Sequence, residues 1–165
     1  NLSVNDGNVK GELIAMVGPV RGATIENNTF YSTGNVERLA EVWTADGTDQ
    51  AADITFRNNL FISDGKNNTF NICNGENFVF ESNLYWGTYR TPAQGEDMPV
   101  TADPLLVLPG ASGCGREAAE YYVPTPDSPV LHEGTPPARP AETDFFGNST
   151  AGRRYIGAFI DGARK

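Results

Sequence analysis

One spacing constrains this chain more than any other feature: a segment opening on Asn occurs four times, and the Asn returns after 27, 31 and 24 residues. Asn1-Leu2-Ser3-Val4-Asn5-Asp6-Gly7 aligns with Asn28-Thr29-Phe30-Tyr31-Ser32-Thr33-Gly34, with Asn59-Leu60-Phe61-Ile62-Ser63-Asp64-Gly65, and with the shorter Asn83-Leu84-Tyr85-Trp86-Gly87. Ahead of each later copy stands an alternating stretch: Ala23-Thr24-Ile25-Glu26-Asn27, Ile54-Thr55-Phe56-Arg57-Asn58 and Phe78-Val79-Phe80-Glu81-Ser82. A period of two is that of a β-strand with one face buried. It puts Ala23, Ile25, Asn27 and their equivalents on the core face, and Thr24, Glu26, Thr55, Arg57, Val79 and Glu81 on the other. A third group, Glu12–Val17, Ala40–Thr44 and Thr69–Cys73, lies between the others, with Ile14, Val42 and Phe70 at intervals of 28 residues. Several short strands per repeat, loops of unequal length and no 3.6-residue periodicity predict an all-β coil of parallel strands, one repeat to a turn.

The pattern apolar-x-Asn-Asn-x-Phe, seen as Ile25-Glu26-Asn27-Asn28-Thr29-Phe30 and Phe56-Arg57-Asn58-Asn59-Leu60-Phe61, resembles the right-handed parallel β-helix proteins of the pectate-lyase-like superfamily. The likeness covers about residues 1–90. It implies that Asn1, Asn28, Asn59 and Asn83 stack as a ladder at a tight bend, a position suited to Asn, which tolerates left-handed backbone angles and can satisfy backbone groups there. The remainder is similar to the C-terminal ending of bacterial β-helix proteins: Asp103-Pro104, then Ser128-Pro129-Val130-Leu131-His132-Glu133-Gly134, Asp144-Phe145-Phe146-Gly147 and Tyr155-Ile156-Gly157-Ala158-Phe159. His132 departs from that ending, which usually carries a small acid there. The expected architecture is the C-terminal portion of a right-handed parallel β-helix, with coils over 1–100 and a loop-rich capping segment of the same domain over 101–165. With Asn1 itself on the ladder, further coils are expected upstream or on another chain.

The formal net charge of −9 argues against nucleic acid, which is gripped by clustered Lys and Arg, and it would repel a polyanion unless local basic groups offset it. No run of 18 apolar residues and no charged-then-apolar leader pattern occurs in the given sequence, so no membrane span is expected and any export signal would lie upstream. Cys73 and Cys114 could pair in an oxidising compartment or remain thiols. Asn1, Asn27, Asn67 and Asn148 open N-x-S/T sequons that an Asn- and Thr-rich chain produces by chance.

Two groups of side chains suit chemistry on a polysaccharide. The outward column Glu26, Arg57, Glu81, stacked at about 4.8 Å per coil, offers an Arg to neutralise a uronate or paired carboxylates for hydrolysis; its structural alternative is a salt-bridge ladder. Trp43, Trp86 and Tyr89 could stack on sugar rings or pack beneath the cap. Glu96, Asp97 and Asp103 form a loose acidic stretch that could hold calcium or nothing; no dedicated metal loop is present and no other cofactor is expected. The single histidine, His132, rules out a zinc cluster with several His ligands within this chain. The expected function is the C-terminal part of a secreted, extracellular or periplasmic polysaccharide lyase or glycoside hydrolase. A non-catalytic glycan-binding, adhesin or structural module is the alternative, and a trimeric tail-spike segment a third reading.

Overall fold

The computed structural model describes residues 1–5, 11–33, 36–44, 49–64, 69–73, 75–88, 91–111 and 113–161, without the side chains of 36 and 37. Ten strands appear in order: β1 (Leu2–Val4), β2 (Gly11–Val17), β3 (Thr24–Glu26), β4 (Thr29–Ser32), β5 (Val36–Trp43), β6 (Ala51–Arg57), β7 (Leu60–Ser63), β8 (Thr69–Cys73), β9 (Gly75–Glu81) and β10 (Leu84–Gly87). They form three parallel sheets: β1-β4-β7-β10 (sheet 1), β2-β5-β8 (sheet 2) and β3-β6-β9 (sheet 3). The chain visits sheets 2, 3 and 1 in the same order in each repeat, adding one strand to each. This mostly β, parallel arrangement is compatible with a coiled, β-helix-like stack.

In parallel register, equivalent side chains lie one above the other at strand spacing, so a repeated aromatic becomes a stack. Phe30 pairs with Phe61, and Phe61 with Tyr85. Their rings stack at 5.1 and 5.5 Å. Phe56 and Phe80 do the same at 5.1 Å. Phe70, from β8, meets all of Phe56, Phe61, Phe80 and Tyr85 edge-on, so it joins the two stacks. The interior is thus filled from all three sheets.

The sheet 2 register differs from the expected 28-residue spacing. Ile14 pairs with Ala40 and Ala40 with Phe70, while Met16, Val42 and Ile72 form the neighbouring column. The loops between turns are unequal and irregularities interrupt the pairing near Glu12 and Arg38. The offset is two residues, so every side chain keeps its face.

Alternation also ends one residue earlier than expected. Asn27, Asn58 and Ser82 take left-handed backbone angles, φ 52°, 52° and 51°. They form the bend from sheet 3 to sheet 1 and do not continue the inward face. The next residue of each turn builds the ladder: the amides of Asn1, Asn28 and Asn59 donate to the Oδ1 of Asn28, Asn59 and Asn83 at 2.9, 3.0 and 2.9 Å. Asn59 and Asn83 also donate across to Ile25 and Phe56 carbonyls.

A partial fourth rung follows. Glu81 bridges to Asp97 and Leu84 to Val100, and Met98, at φ 52°, repeats the bend. Pro99 then falls where a ladder Asn would stand and brings no N–H.

Residues 101–111 and 113–161 lie along the flank. The outer face of sheet 1 contributes Tyr31, Leu60, Ile62 and Leu84 to a cluster with Leu106, Tyr122, Val130, Phe146, Ile156 and Phe159. Backbone links fix the position: Gly157 N donates to the Asn58 carbonyl at 2.7 Å, Ala158 N to Thr29 Oγ1 at 3.0 Å, and Asn27 Nδ2 to the Tyr155 carbonyl at 2.7 Å. The segment carries one short helix, α1 (Gly115–Ala119), and a 3₁₀ turn at Pro129–Leu131 capped by buried Ser128. Asp144 holds its own loop through Phe146 N and Asn148 N.

Candidate functional site

The outward column of sheet 3 comes together as expected: Glu26 pairs with Arg57 and Arg57 with Glu81. Arg57 Nε donates to Glu81 Oε2 at 2.7 Å, and its Nη1 lies 3.8 Å from Glu26 Oε1. Glu26 Oε1 also accepts from Ala138 N of the flanking segment at 3.0 Å. These three side chains are only 20%, 11% and 21% exposed (Arg57, Glu26, Glu81). The guanidinium is therefore held between its carboxylates, and one of those carboxylates also anchors the flanking segment.

Sheet 2 presents a different face. Its outward columns are Ala15-Glu41-Asn71 and Val17-Trp43-Cys73. Val17 and Trp43 are 69% and 47% exposed. Beside that aromatic lies a hydrogen-bonded group: Arg38 Nη1 donates to Glu12 Oε1 at 3.1 Å and Glu41 Oε1 at 3.0 Å, and Asn71 Nδ2 donates to Glu41 Oε1 at 3.0 Å. Trp43 was legible as a candidate from its side-chain type. Strand alternation outward from Trp43 reaches Glu41, but the grouping of Glu12, Arg38, Glu41 and Asn71 depends on a strand register that is irregular near Glu12 and Arg38 and that spacing does not reveal. The exposed ring and adjacent polar groups together make a surface on which a sugar ring can lie with its hydroxyls paired.

Trp86 sits apart from Trp43, in sheet 1. It is half-buried against the flank cluster and lines a cavity of about 350 Å³ together with Tyr31, Asp64, Asp103, Leu105 and Pro109. Tyr89 lies outside the described residues.

The acidic stretch that could hold calcium or nothing is bonded within the fold. Glu96 Oε1 accepts from Asn83 N and Nδ2 at 2.8 and 2.9 Å, and its Oε2 accepts from the Tyr85 hydroxyl at 2.7 Å. Burial raises its pKa above the ordinary carboxylate value, partly opposed by these donors, and burial with the Glu96 charge pushes the Tyr85 hydroxyl upward as well. Asp97 pairs through its backbone with Phe80 and Ser82, and Asp103 Oδ1 accepts from Leu105 N. Among the described residues, no group of three or more His, Cys, Asp or Glu is placed to hold a metal ion.

Cys73 and Cys114 are both free thiols. Three sequon asparagines are bonded within the fold, Asn1 to Asn28, Asn27 to Tyr155 and Asn148 to Asp144; Asn67 lies outside the described residues.

No protein-family model matches the chain, and no curated protein matches it.

Proposed function

We propose that this chain forms consecutive turns of a right-handed parallel β-helix in a secreted or periplasmic protein, and that the outer face of sheet 2 binds a neutral polysaccharide. The observation that carries the binding reading is the exposed Trp43 ring on an open sheet, beside the Arg38, Glu41 and Asn71 group. Net charge −9 favours a neutral glycan over a polyanion. Binding is preferred to catalysis at Glu26, Arg57 and Glu81, because those groups neutralise one another. A further layer over β1–β3, from the same or another polypeptide, is supported by the half-buried Ile14 and Ile25, whose counterparts in the next turn, Ala40 and Phe56, are 1% and 0% exposed.

A second reading, glycoside hydrolysis on the same face, has one observation behind it: Glu12 and Glu41 contact a single Arg38 nitrogen, so two carboxylates stand close together.

The test is retention of the purified chain on a panel of neutral and acidic polysaccharides, followed by calorimetry on any that bind. The expected result is binding to a neutral glycan, weakened about tenfold or more by Trp43→Ala with an unchanged melting curve. Retention of no glycan, or equal binding by Trp43→Ala, would overturn the proposal. Release of reducing ends that stops in Glu41→Gln would establish the hydrolytic reading.

A further inference from the structure

The cavity at Trp86 has a chemical character of its own. Register stacks Tyr31, Ile62 and Trp86 on the outer face of sheet 1, and residues between Asp103 and Pro109 supply further lining. Asp64, which follows directly on β7, and Asp103 both line the cavity and are exposed. The walls therefore carry two aromatic rings and two carboxylates, and none of the described lining residues is basic.

Both carboxylates are fixed. Asp64 Oδ1 accepts from Thr88 N and Oγ1, each at 3.2 Å, and Asp103 Oδ1 accepts from Leu105 N at 2.9 Å. In each case these bonds fall on Oδ1. Tyr31 is fixed too: its ring meets Tyr122 edge-on at 5.4 Å, and Gly110 lies close against its hydroxyl. The Asp64 charge, after burial, holds the Tyr31 hydroxyl in its protonated form to higher pH.

A neutral sugar would use the rings and leave the carboxylates without a matching charge, and an anion would be repelled. A cation with an organic body uses all four groups, since aromatic faces attract positive charge and carboxylates complete the neutralisation. We infer that this cavity binds a protonated or quaternary amine carried on a small organic body, held between Trp86 and Tyr31 and neutralised by Asp64 and Asp103. The site is independent of the Trp43 face, so it stands whether or not that face binds a polysaccharide.

The test is an amide NMR titration of the 165-residue chain with choline, with glucosamine, and with their uncharged counterparts 3,3-dimethylbutanol and N-acetylglucosamine. The expected result is saturable shifts confined to the cavity for at least one amine, with the matching uncharged compound at least about tenfold weaker. Asp64→Asn keeps the acceptor for Thr88, and Asp103→Asn keeps that for Leu105. Each is expected to weaken amine binding about tenfold while leaving the spectrum of the free protein otherwise unchanged. Preference for choline identifies a quaternary ammonium ligand and preference for glucosamine an amino sugar; either supports the inference. Equal binding of charged and uncharged compounds, no saturable shift at the cavity, or undiminished binding in both Asn variants would overturn it.

Discussion

Asn83 gives both its backbone N–H and its side-chain amide to one oxygen of Glu96, at 2.8 and 2.9 Å. Every earlier ladder Asn donates to the Oδ1 of the next Asn, and here a carboxylate takes that place. The ladder ends because Glu96 accepts without donating onward along it, and because Pro99 has no N–H to offer. Glu96→Ala should therefore leave buried donors unpaired and cost about 2–3 kcal/mol, measured by urea unfolding.

The same residue gives the protein a pH signature. The Glu96 proton is held more tightly in the folded state than in the unfolded chain, where the ordinary value is 4.5. Its contribution is therefore full below that value and is lost as pH rises through the raised one. Denaturant curves at intervals between pH 4 and 8 should show this fall in the parent protein, and Glu96→Gln, which does not titrate, should lack that component.

Asn59 occupies the middle of the ladder with no exposed surface. Its amide serves Asn83 and the Ile25 carbonyl, and its Oδ1 accepts from the side chain and backbone of Asn28. Asn59→Ala is expected to cost about 3 kcal/mol, since several partners are orphaned together. Asn1→Ala, at the edge of the ladder, should cost well under half of that in the same unfolding assay.

Gly157 adopts φ +83°, and a Cβ there would lie 2.7 Å from Thr29 Oγ1. Gly157→Ala thus combines backbone strain with a collision against sheet 1, for about 2–3 kcal/mol. Thermal melts should show the loss, and hydrogen exchange should place it first at Ile156–Phe159.

Arg57→Met should lower stability by about 1 kcal/mol, between the limits for exposed and buried pairs, because Glu26 and Glu81 lose the positive charge that lies between them. The difference should shrink in high salt. Glycan binding at Trp43 should not change.

The rungs, the inward apolar columns and the Asn ladder were legible because the same residue types return at the same structural position. What does not repeat was hidden. Glu96 replaces a ladder amide from a loop 13 residues beyond Asn83, and Met98 repeats the bend without resembling Asn27 or Asn58. The Ala40 register could not be read from spacing, since loop lengths differ between turns. Of the candidate site residues, Glu26, Arg57 and Glu81 were brought together by simple alternation. The Trp86 cavity depends on where residues 103–109 dock, which no local pattern encodes.

The ladder contacts join residues 24 to 31 positions apart, whereas the flanking segment reaches back 77 to 129 positions, from Thr135 to Asn58 and from Ala158 to Thr29. Loop closure therefore favours assembly turn by turn, with the tail docking last. Synthesis runs in the same direction, so Tyr31, Leu60, Ile62 and Leu84 face water until the covering residues from Leu106 to Phe159 have emerged. During that interval an apolar sheet face is open to non-native contacts, and the rate at which the tail docks governs how long it stays so.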